Sequence, residues 1–183
     1  MIPDIHIQYS PYLDEIYKAW IWSDSRYKDW ACPPLSEVKN KTSIFSQAWK
    51  NIGLEIIKGI CLNTGLDFKR NHFSVYVVSG NTRTYSNPIV MKSGFSEREF
   101  VEMLTHELIH CLFVDNPRSS FVKKIDDYAD HVVLYAVLES VLPGTIGRPV
   151  DVEHFPVNAR YLEAMNCVRV IGFREILARC RAK

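Results

Sequence analysis

An α+β domain is what the sequence predicts, with a small sheet packed on a helical bundle. Two short stretches, residues 5–9 and 71–79, alternate β-favouring residues with others. Longer stretches, from about residues 36, 97 and 121, repeat apolar residues at helical spacing. The chain has 183 residues, 47% of them hydrophobic, which suits one core of ordinary size. We therefore expect a single domain over 1–183. Its first part, to residue 70, is mainly helical. Strands follow over 71–95, and residues 96–183 are helical again.

Each element has its own signal. IHIQY at 5–9 reads as a short strand, and Pro11 to Trp22 as a short amphipathic helix. Residues 23–35 are polar, with a turn at Cys32-Pro33-Pro34. From Ser36 to about Asn63, Ile44, Trp49, Ile52, Ile56, Ile57 and Ile60 recur at helical spacing, although Gly53 and Gly59 weaken the continuity. Phe73, Val75, Val77 and Val78 make Asn71 to Ser79 a strand. Gly80 to Asn87 is a loop by composition, and Pro88 to Lys92 a second short strand. Ser96 and Glu99 form a capping box, and Phe95 and Phe100 take the staple positions, so a helix is expected from Glu97 to Val114. Asp115-Asn116-Pro117 ends it. A second helix is expected over Phe121 to Leu142, ended by Pro143-Gly144. A last one is expected from Val157 to about Ala182. The tryptophans Trp20, Trp22, Trp30 and Trp49 are expected in the core.

The charge balance excludes some roles. Lys plus Arg number 22 against 21 Asp plus Glu, a net charge of +1. A nucleic-acid binder needs a basic face, so none is expected as partner. Arg174, Arg179, Arg181 and Lys183 read as a solvated helix end. No apolar stretch reaches the roughly 18 residues of a membrane span, so no membrane partner is expected. Five unclustered cysteines and no signal-peptide pattern lead us to expect reduced thiols and a cytoplasmic protein.

The chemistry gathers in EMLTHELIHCLF, residues 102–113. His106 and His110 are four apart on the predicted helix, so both imidazoles leave one face a turn apart. That spacing lets two nitrogens reach one zinc ion. Glu107 is rotated about 100 degrees from His106, beside the metal position, where a base can take a proton from a zinc-bound water. Incidental histidines on a half-buried helix are the bland reading. Among Leu104, Leu108, Ile109, Leu112 and Phe113, however, such polar groups would be costly without partners.

His106-Glu107-Leu108-Ile109-His110 resembles the H-E-x-x-H motif of the zincin metallopeptidases. The resemblance implies a zincin-like fold, Zn2+ held by His106 and His110, and Glu107 as general base in peptide-bond hydrolysis. It also implies an edge strand beside the cleft along which a peptide or protein substrate lies, and residues 71–79 are the expected match. The sequence departs from the subfamilies. The metzincin extension needs glycine at 113 and histidine at 116, where Phe113 and Asn116 stand. The thermolysin-type extension puts glutamate and aspartate where Asp130 and Leu134 stand, and a shifted pair, Asp126 with Asp130, keeps only the spacing. The chain resembles a small, minimal gluzincin-like member most.

The third ligand is expected to be His131, on the second helix with Asp127 one turn before it to orient the ring. Asp126, Asp127 and Asp130 are the alternatives, with Glu139 and His154 after them. His6 and His72 read as surface or strand histidines. Tyr128, Tyr135 and Tyr161 are open candidates for stabilising developing charge on the substrate. Cys32 can be imagined as a thiolate cap on zinc, but reads more simply as a turn residue. Two rivals to a peptidase remain: a zincin-like domain that uses zinc for structure or binds a protein partner without turnover, and a hydrolase of non-peptide amides.

Overall fold

The computed structural model describes residues 2–81, 84–123, 129–145 and 159–181. The first strand, β1 (Asp4–Tyr9), leads into α1 (Pro11–Ser23) and a short 3-10 turn (Ser25–Tyr27). The long helix α2 (Leu35–Thr64) follows, then β2 (His72–Val78), β3 (Tyr85–Ser86) and β4 (Ile89–Lys92). The helices α3 (Glu97–Asp115), α4 (Ser120–Lys123), α5 (Ala129–Val141), α6 (Ala159–Ile171) and α7 (Phe173–Arg181) complete the described chain. The architecture is α+β, with a four-stranded mixed sheet in the order β1-β2-β4-β3. β1 runs parallel to β2 and β2 to β4, while β3 is antiparallel to β4.

The alternation of β2 explains the two layers. Phe73, Val75 and Val77 enter the main core against α2 and α3, with Ile89 and Met91 of β4 beside them. Tyr76, Val78 and Val90 point to the other face, where Tyr17 of α1 covers them. On α1 the residues Asp14, Tyr17 and Ile21 are buried, a stripe of one helix face. Trp20 and Trp22 lie off that stripe and are 52% and 58% exposed, so the expectation that they join the core is corrected. Trp49 on α2 does join it.

Helix α2 runs unbroken through both of its glycines. A Cβ on Gly59 would stand 2.8 Å from Val141 Cγ1, so the glycine lets α2 and α5 approach closely. Phe45 of α2 stacks on Phe100 of α3, with ring centroids 4.2 Å apart and 7° between planes. The single last helix expected over 157–182 is two helices among the described residues. Gly172, at φ 87°, separates α6 from α7, because a left-handed residue ends helical hydrogen bonding. The second expected helix is described as α4 and α5, with residues 124–128 outside the described residues. No helix among the described residues is long and apolar enough to cross a membrane.

Candidate metal centre

Helix α3 begins where its cap says it should. Ser96 Oγ accepts from the Glu99 backbone N–H at 3.3 Å, and Glu99 Oε2 accepts from the Ser96 N–H at 2.7 Å. Phe95 and Phe100 are fully buried beside the cap. From Phe100 to Phe113 the helix is buried at every residue except His110, which is half-buried. It lies between the sheet on one side and α2 and α5 on the others. A helix apolar on nearly every face belongs inside a core, and here it carries His106 and Glu107 inside with it and leaves His110 half-buried.

His106, His110 and His131 come together. Their candidate ligand nitrogens all lie within 4.8 Å of one another. The rings stand 4.9 Å apart for His106 and His110, 5.1 Å for His110 and His131, and 5.9 Å for His106 and His131. Two donors come from successive turns of α3, and the third from the first turn of α5, which packs against it. Nitrogens bound to zinc at about 2.0–2.1 Å sit roughly 3.4 Å apart in a tetrahedral site. Drawing a cluster of this size onto one ion needs each imidazole to move by about 1 Å or less. The donor set therefore fits zinc.

Burial keeps these imidazoles neutral. It pushes the pKa of His106 well below the ordinary histidine value, with His110 and His131 adding to the effect. His110 is lowered to about 4, by burial first and by His131 second. His131 is lowered by burial as well. A neutral imidazole has a lone pair to offer a metal.

Glu107 is 4% exposed. One of its carboxylate oxygens, Oε1, accepts a hydrogen bond from Thr84 Oγ1 at 2.5 Å. One helical turn on, Cys111 Sγ donates to the Ser86 carbonyl at 3.2 Å. Burial raises the Cys111 thiol to about 11, so it stays protonated and can donate. Residues 84 and 86 thus meet residues 107 and 111. The match is geometric, since two strand residues advance about 6.7 Å and four helical residues about 6 Å. β3 is an edge strand of the sheet and lies beside α3. The expected edge strand at 71–79 is corrected: β2 pairs on both sides, with β1 and with β4. The alternation of β2 marks one face more buried than the other, and does not tell whether one or both of its edges are paired.

Aromatic rings surround the histidines. Tyr161 of α6 lies over His131, with ring centroids 4.5 Å apart. Tyr135, buried on α5, stands 5.8 Å from His106 and 6.1 Å from His131. Tyr128 lies outside the described residues. So do Asp126, Asp127 and His154, and the side chain of Asp130 is likewise outside them. Glu139 is engaged at the far end of α5, where it accepts from the Gly144 N–H and from Thr145 Oγ1. His6 and His72 face each other on β1 and β2, at the opposite side of the sheet from β3. Cys32 is exposed, with its thiol on the Pro33 carbonyl, and does not belong to the histidine cluster. None of the five cysteines is joined in a disulfide.

Thr84 and the two-residue strand after it escaped the sequence. They fall in a stretch of Gly, Asn, Thr and Ser that reads as loop. Set against protein-family models, curated proteins and solved structures, the chain matches none.

Proposed function

We propose that this chain is a zinc-dependent metallopeptidase, with His106, His110 and His131 as the metal ligands and Glu107 as the general base. The observation that carries the reading is the meeting of three imidazoles from two helices, one of them adjacent in sequence to a buried glutamate. Zinc, when bound, supplies a Lewis acid and brings the pKa of a water it holds to about 7. The protein's own residues do the rest. The two α3 histidines and the α5 histidine would hold the ion, with His106 buried and His110 and His131 half-buried. Glu107 takes a proton from the attacking water and passes it to the leaving nitrogen. A peptide substrate would lie along β3, the edge strand beside α3. Free thiols fit a reducing, cytoplasmic setting.

The experiment is Glu107→Gln. The variant should bind zinc as the wild type does and lose peptide hydrolysis by at least about a hundredfold, the lower range for a general base. Retained turnover would refute the role. The competing reading is a closed structural zinc. Structural sites take four protein ligands, whereas the group found among the described residues offers three.

A further inference from the structure

We propose that Thr84 is a positioning residue for the Glu107 carboxylate. The inference rests on the reading of Glu107 as the general base. A glutamate side chain has three rotatable bonds, and a base that swings loses the alignment that makes proton transfer fast. Glu107 is confined first by burial. The last bond of a glutamate side chain is broad and roughly two-fold, so the carboxylate's orientation is set by the partners of its oxygens. Thr84 is such a partner, its hydroxyl donating to Oε1 at 2.5 Å.

The donor is itself held. Thr84 precedes β3, and β3 is fixed on two sides. Tyr85 and Ser86 pair with Val90 and Ile89 of β4. The Ser86 carbonyl accepts the Cys111 thiol from α3. The neighbouring side chain, Tyr85, contacts Tyr17 and Trp20 of α1, with ring centroids 6.0 and 6.5 Å apart. The edge strand is thereby clamped between α1 and α3, and its first clamp is the hydrogen bond to the base. A hydroxyl one residue from a fixed strand is a better orienter than one far out on a loop, because less is left to chance in its direction.

The test is a double-mutant cycle read by binding. The probe is acetohydroxamate on the zinc-loaded protein. It chelates zinc through two oxygens, and the hydroxamate proton goes to the carboxylate beside the metal. The Kd is measured by calorimetry for wild type, Thr84→Val, Glu107→Gln and the double variant. Thr84→Val should keep its zinc and weaken acetohydroxamate by up to about tenfold, because a carboxylate no longer held in place must be ordered when the probe binds. It should add nothing in the Glu107→Gln background. Thr84→Ser should restore binding. In peptide turnover, Thr84→Val should lower kcat with KM unchanged.

Additive effects, a wild-type Kd in Thr84→Val, or a serine variant no better than valine would overturn the inference. Should valine disturb β3, Thr84→Ala enters the same cycle with the same expectations. Wild type that binds zinc and the probe but hydrolyses no peptide would sink the proposed function and leave the cycle to decide on Thr84. Wild type that takes no zinc would overturn both.

Discussion

Acidifying the metal-free protein should destabilise it through the buried histidines. His110 shows how much. Its pKa is about 4 in the folded chain and about 6.5 when unfolded. The folded state therefore binds fewer protons than the unfolded state in mild acid. Its contribution is complete above about pH 6.5 and is lost as the pH falls towards 4. Integrating between those two values gives a loss of about 2 kcal/mol from pH 7.5 to 5 for His110 alone, and about 3 kcal/mol in full. His106 and His131 move in the same direction. The assay is urea unfolding of the metal-free protein at pH 7.5, 6 and 5, for wild type and His110→Gln. The difference between the two pH slopes isolates the histidine. Identical slopes would refute the claim that a neutral imidazole is buried at this position.

Two further predictions concern the scaffold. Phe100→Ala removes a fully buried ring stacked on Phe45 and should cost about 3–5 kcal/mol, seen as a lower urea midpoint. Ser96→Ala breaks the capping box of α3 and should cost about 1 kcal/mol in the same assay, while Ser96→Asp should restore most of it.

The start of α3 was legible because its signal is local. A capping box and a staple are written in six consecutive residues, Phe95 to Phe100. The pairing of His106 with His110 was legible for the same reason, since helical period alone puts them on one face. His131 was different. Its neighbours Asp126, Asp127 and Asp130 sit within five residues of it, so several faces of one helix offer a ligand. Which face meets α3 is decided by how α5 packs, and periodicity does not record that. β3 was not legible at all. Its two residues have no alternation to display, and what makes them a strand is pairing with β4 and contact with α3, both tertiary. Trp20 and Trp22 misled by composition: large rings suggested a core, but α1 buries only the Asp14, Tyr17 and Ile21 stripe. Gly172 sits inside a helical pattern, where an isolated glycine is tolerated at a cost of about 1 kcal/mol.

Whether His106, His110 and His131 hold one zinc ion is decided by the zinc content of the purified protein. Elemental analysis should find one zinc per chain in wild type, and little or none in His131→Ala under the same dialysis. Full zinc in His131→Ala, or none in wild type after supplementation, would rule out the three-histidine site.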